Sequence, residues 1–151
     1  DLKLKREAVF FPVANPNDQA TNYSTDLLIK PLAKQTAKRK PSDDRPDWTI
    51  DVLASEECTK DRLGQYLGGD ATPAFLFTAS HGMGFPKGHP YQASFQGALL
   101  CQDWPGPRAR GPISRDYYFG AEDVNPDANL LGLISFHSPS LIAALHVRSG
   151  V

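Results

Sequence analysis

No apolar run in this chain approaches the roughly 18 residues that a membrane-crossing helix needs, so neither a span nor a membrane partner is expected. Cysteine is scarce. Cys58 and Cys101 are the only two, they form no CxxC, and they imply neither a zinc site nor a disulfide framework. A reducing, cytoplasmic setting is the default for such a chain. There is no GxGxxG and no Walker loop, so no nucleotide cofactor is expected. A net charge of −1 gives no global field toward nucleic acid. The one basic run, residues 34–40 (KQTAKRK), is followed at once by PSDDRPD and reads as a solvated loop. The first residue is Asp1, not methionine, and no charged-then-apolar leader comes after it. The expectation is a piece of a longer protein.

What is present is an ordinary globular composition. The 151 residues are 40% hydrophobic and 22% charged, enough for one domain with a real core. Residues 7–13 (EAVFFPV) read as a first strand, and Asn15-Pro16-Asn17-Asp18 as a turn. Ser24-Thr25-Asp26 offer N-caps to a helix bearing Leu27, Leu28 and Leu32, which Pro31 kinks or restarts. Residues 37–47 read as a linker and residues 48–53 (WTIDVL) as a second strand. Thr59 caps a helix over residues 60–67, ended by Gly68-Gly69. Shorter extended pieces are expected at residues 97–101 and 116–119, and a last buried strand at 130–136. Alternating strands and helices predict an α/β fold: a mostly parallel, doubly wound sheet with right-handed crossovers.

The chain is organised around residues 73–84 (PAFLFTASHGMG). The short aromatic run 74–77 reads as a buried parallel strand, and it delivers His81 to the strand's carboxyl end. Ligands and chemistry gather there in open α/β sheets. Gly82 and Gly84 are read as backbone positions with conformations other residues avoid. His81 is then a candidate general base, or a polar turn residue and nothing more.

The blocks PAFLFTASHGMGFPKGHPYQ, GALLCQDWPG, DYYFGAEDV and ANLLGLISFH, in that order, resemble the caspase-like cysteine peptidases, in particular the bacterial gingipain-type branch. FFPVANPNDQATNYSTDLLIKPLA is similar to the same group, so the resemblance runs over about residues 8–137. It implies a caspase-hemoglobinase-like fold, a Rossmann-like three-layer sandwich that is incomplete at its C-terminal end. Residues 1–151 would then be the N-terminal part of a larger peptidase domain or protein. It implies hydrolysis of a polypeptide substrate by a Cys-His dyad, with no metal and no cofactor. His81 would be the histidine and the Gly82 N–H an oxyanion donor.

The family carries its cysteine just after the second buried strand. This chain reads Ser138-Pro139-Ser140-Leu141 there, and Ser140 falls at the nucleophile position in simple register. A serine hydroxyl stays protonated where a thiolate is wanted. The chain is therefore expected to be silent as a peptidase, either as the histidine-bearing portion of one or as a non-catalytic pseudopeptidase that binds peptide or acts as a scaffold. Cys101 is a second candidate nucleophile or, as cysteines in apolar runs usually are, a core thiol. Cys58 reads as structural. His81, His89 and Asp103 fit no standard zinc spacing. Asp18, Asp103 and Asp123 can line a specificity pocket for a basic side chain, or be plain loop acids. His137 and His146 read as surface or strand-end residues.

Overall fold

The computed structural model describes residues 5–39 and 47–139. Four strands form one parallel sheet: β1 (Glu7–Pro12), β2 (Thr49–Val52), β3 (Phe75–Ser80) and β6 (Ile134–Pro139), in the spatial order β2-β1-β3-β6. The α/β expectation holds at this level. β4 (Leu99–Leu100) and β5 (Tyr118–Phe119) make a separate antiparallel pair.

Period-two alternation along β1 and β3 sends apolar side chains to both sheet faces. Val9, Phe11 and Leu76 meet Leu63 and Tyr66 of α3 (Lys60–Tyr66) on one face. Phe10, Phe77 and Ala79 meet Ile29 and Ala33 on the other. Ala33 belongs to α2 (Lys30–Ala37), the last part of a helical run that begins with α1 (Gln19–Tyr23). The Phe10 and Phe77 rings stack at 5.8 Å. The run α1–α2 links β1 to β2, and α3 links β2 to β3 across the opposite face. A sheet whose order runs 2-1-3 switches direction between β1 and β3, and it opens a crevice at their carboxyl ends.

The helical run departs from its expected start. Ser24, Thr25 and Asp26 do not cap it. Asp18 does, with its carboxylate accepting from the Ala20 N–H at 3.2 Å. Thr25 is buried and gives its hydroxyl to Val13 O at 3.0 Å, which removes it from capping. Residues Ser24–Ile29 form a π-helical turn directly ahead of Pro31. Pro31 has no N–H to give and its ring crowds the carbonyl four residues back, so the turn before it opens. Thr59 caps α3 as expected, accepting from Arg62 N at 3.2 Å, and Gly68 (φ 95°) ends that helix in the left-handed region.

The last strand is displaced from its expected place. Residues 130–133 make a turn, closed by Leu133 N–H to Leu130 O at 3.1 Å, with Gly132 at φ 93°. The strand itself begins at Ile134 and is not buried: Ile134 is 66% exposed and Phe136 54%. β6 is the outer strand among the described residues, so its apolar side chains have cover from β3 alone. Phe136 packs on Phe77 at 5.0 Å. Gly82 and Gly84 also differ from expectation. Neither has a positive φ, because the chain past His81 stays extended and Gly82 bridges Leu99. Most of the linker, residues 40–46, lies outside the described residues, as do Ser140 and His146.

The two-sided core predicts unequal responses on the helices. Leu63→Ala, at a buried site against Phe11 and Leu76, is expected to cost about 2–5 kcal/mol. Leu27→Ala, at a site 74% exposed, is expected to stay within about 0.5 kcal/mol. Urea unfolding of the two variants checks this.

Candidate functional site

β1 and β3 end level with each other, Pro12 beside Ala79, and Val13 N–H still reaches Ala79 O at 3.1 Å. The two strands then release their loops into the same crevice. From β3 comes His81 and from β1 comes the turn 15–18, closed by Asp18 N–H to Asn15 O at 3.2 Å. Asn17 holds φ 60° in this turn, a conformation asparagine tolerates better than most residues. The turn aims Asp18 at His81: Oδ2 lies 2.5 Å from Nε2, and both side chains are buried.

A carboxylate only accepts, so Nε2 carries the proton of this bond. In the neutral ring that leaves Nδ1 as the basic nitrogen, turned away from Asp18. Asp18 therefore fixes both the tautomer and the plane of the imidazole. The Trp104 indole stands edge-on to the ring at 6.3 Å and is itself buried. The arrangement is an imidazole held by one carboxylate at the ends of two parallel strands.

The turn is braced by the 101–107 loop. Asn15, fully buried, donates through Nδ2 to Cys101 O at 3.0 Å and to Trp104 O at 3.1 Å. Gln102 makes a paired contact with the Ala14 backbone, its Oε1 accepting from Ala14 N and its Nε2 donating to Ala14 O, each at 2.8 Å. Gly106, at φ 95°, passes so close to Pro16 that a Cβ there would stand 1.9 Å from Pro16 O.

Beyond His81, the chain pairs with the segment leading into β4. His81 O accepts from Leu100 N and Ala98 O accepts from Met83 N, at 2.8 and 2.7 Å. Gly82 and Leu99 are thus a non-hydrogen-bonded pair, and the Gly82 N–H points to the side away from β4.

The other candidate residues have different employment. Cys101 is wholly buried in the cluster with Cys58, Leu63 and Phe119, and its thiol donates to Leu99 O at 3.5 Å. Burial, with Asp103 adding to it, pushes its pKa up to about 12. Burial likewise raises Cys58 far above the usual thiol range. Neither thiol has the lowered pKa of a nucleophile. Asp103 accepts from Lys60 N–H at 2.7 Å at the head of α3. Asp123 takes Lys60 Nζ at 3.0 Å, Gly120 N–H at 2.8 Å and the Arg115 guanidinium. Burial alone would raise the Asp123 pKa, but those three donors outweigh it and hold the carboxyl below its ordinary value. Arg115 also lies over the Phe95 ring at 4.2 Å. His89 stacks on Phe85 at 5.1 Å, so His81, His89 and Asp103 each have a different neighbour. His137 sits inside β6, opposite Thr78 and 2.8 Å from its hydroxyl, and burial lowers its pKa.

By sequence Asp18 groups with the loop acids. The signal for its role is its place just past a strand in a turn-forming tetrapeptide. Asn15, Gln102, Trp104 and Gly106 give no such signal, since their contacts reach across about ninety residues of chain. Comparison with protein-family models, with curated proteins and with solved structures yields no match to this chain.

Two outcomes test this description. A folded pKa raised from near 9 to about 12 means that the native state keeps a proton the unfolded chain gives up. Stability linked to Cys101 is then full below pH 9 and is lost as pH rises toward 12. Chemical unfolding at stepped pH, with Cys101→Ala as reference, should show a steeper loss in the wild type than in the reference, which keeps only the share of buried Cys58, and iodoacetamide should leave both thiols of the folded protein unmodified at pH 8. Gly106→Ala should destabilise by at least about 2 kcal/mol, read as a lowered urea midpoint, because the methyl group has no room against Pro16 O.

Proposed function

We propose that this chain is the histidine-bearing part of a caspase-like cysteine endopeptidase domain of the gingipain type, acting on an extended polypeptide laid across the strand ends. The observation that carries the reading is the buried His81–Asp18 pair at the carboxyl ends of β3 and β1. In such a site a thiolate attacks the peptide carbonyl, and the carbonyl oxygen gains negative charge. The Gly82 N–H is suited to meet that charge. His81, held in one tautomer by Asp18, first takes the thiol proton at Nδ1 and then passes it to the leaving amine.

The strand order adds support. β6 is the parallel neighbour of β3, with Pro139 beside Ser80. β6 thus ends next to the strand that delivers His81. The resemblance expects a cysteine there, and the sequence has Ser140.

As it stands this chain does not hydrolyse peptide. Both of its cysteines are core thiols with raised pKa values. That same burial favours a second reading, a peptide-binding pseudopeptidase that keeps the histidine without the nucleophile.

Restoring the thiol tests the first reading. Ser140→Cys should gain a covalent adduct from a peptidyl acyloxymethyl ketone, read by intact mass, while the wild type gains none. His81→Ala in that background should abolish labelling, and Asp18→Asn should slow it about 10²- to 10⁴-fold. A folded Ser140→Cys variant that stays unlabelled would count against the peptidase site. Peptide binding by the unlabelled protein would then support the pseudopeptidase.

A further inference from the structure

Cys58 and Cys101 stand 43 positions apart in sequence, and the fold sets them side by side. Residues 58–60 lead into α3, and residues 101–103 leave β4. The Gln102 N–H donates to Cys58 O at 2.9 Å, and the Lys60 N–H donates to Asp103 Oδ2 at 2.7 Å. These two bonds run the segments alongside each other. Both cysteines are wholly buried, and both side chains enter the cluster that holds Leu63 and Phe119. A disulfide needs Cα atoms roughly 4.4–6.8 Å apart and side chains that turn toward one another. The backbone contact beside each cysteine supplies the approach, and the shared cluster supplies the common direction.

Little holds either thiol in its reduced form. Cys58 Sγ donates to Ala54 O at 3.6 Å and Cys101 Sγ to Leu99 O at 3.5 Å. A thiol is a weak donor, so little hydrogen bonding is forfeited when the two protons leave. The charge on Cys101 adds to burial in holding the Cys58 thiol up, which puts the two sulfur atoms within electrostatic reach of each other. In the folded, reduced chain both sulfurs are buried, and burial keeps both protonated. Thiolate is the attacking species in disulfide exchange. An oxidant therefore meets these cysteines as the chain folds or opens, and folding then seals the product.

We propose that Cys58 and Cys101 are a disulfide pair, closed as the chain folds in the presence of a small disulfide oxidant such as glutathione disulfide. One cysteine thiolate attacks a sulfur of the oxidant, whose S–S bond breaks and releases one glutathione thiolate. The second cysteine thiolate attacks the protein sulfur of that mixed disulfide and releases the other. Two protein thiols lose two electrons and two protons, and the oxidant leaves as two molecules of reduced glutathione. The bond closes a loop that contains α3, β3 and His81, so it restricts the unfolded chain widely. It also fastens the head of α3 to the loop that braces the candidate site: Cys101 O holds Asn15 Nδ2, and Gln102 holds the Ala14 backbone. Neither thiol is asked for catalysis, so the pair stands whether or not the site is a peptidase's.

Refolding of the full chain from urea in mixtures of reduced and oxidised glutathione tests this, with acid quenching, intact mass and peptide mapping of the products. The expected product is a monomer with one Cys58–Cys101 bond and no glutathione attached. That bond should be at least about tenfold harder to reduce in the folded chain than in urea, because folding stabilises a bond that the fold accommodates. The oxidised chain should unfold at a higher urea midpoint than the reduced one. Cys58→Ala and Cys101→Ala should each show a single midpoint whatever the glutathione ratio. Exchange of the Ala14 amide hydrogen should be slower in the oxidised form. A folded chain that keeps two free thiols at every ratio, that carries glutathione on either sulfur, or that links to a second chain would overturn the pair. So would a bond reduced as readily in the folded chain as in urea. Where an alanine variant does not fold, the mapped wild-type bond and its resistance to reduction decide alone. Equal Ala14 exchange in the two forms would sink the link to the candidate site.

Discussion

The Asp18 carboxylate ties three parts of the molecule together. One oxygen starts the helical run by capping α1, the other holds His81 at the end of β3, and its backbone closes the turn that leaves β1. Removing the charge therefore loosens a helix start and a histidine at once. Such sharing is economical in a small sheet but leaves little independence. The turn can carry Asp18 only because Asn15 and Gln102 clamp it to the 101–107 loop, and that loop approaches closely enough only because residue 106 has no Cβ.

Much of the scaffold is legible from pattern. Short aromatic and β-branched runs bounded by turn residues mark β1, β2 and β3, and Thr59 with Gly68 brackets α3, because these signals are local and each has a steric or hydrogen-bonding cause. The errors also have causes. Thr25 has the character of a cap, but Val13 O takes its hydroxyl, a contact between a strand end and a helix interior that no local pattern shows. The apolar run 130–136 has the character of one buried strand, but Gly132 bends it and only its second half pairs with β3.

The site is half legible. His81 can be found because a strand signal ends just before it. Its partner cannot be singled out, since Asp18, Asp103 and Asp123 look alike as loop acids and differ only in what the fold brings to each. One meets an imidazole, one the amide at the head of a helix, and one a pair of cations.

The π turn at Ser24–Ile29 has a consequence for the phase of the helix. Each residue of an ordinary helix advances about 100° around the axis, so a widened turn resets the angle between α1 before it and α2 after it. The first half of the run is oriented by Asp18 at the crevice, and the second by Ile29 and Ala33 against Phe10 and Phe77. These two demands need not share one continuous helical face. The open turn ahead of Pro31 lets each be met, so side chains on α2 can be repacked against the sheet without rotating the end that holds the histidine.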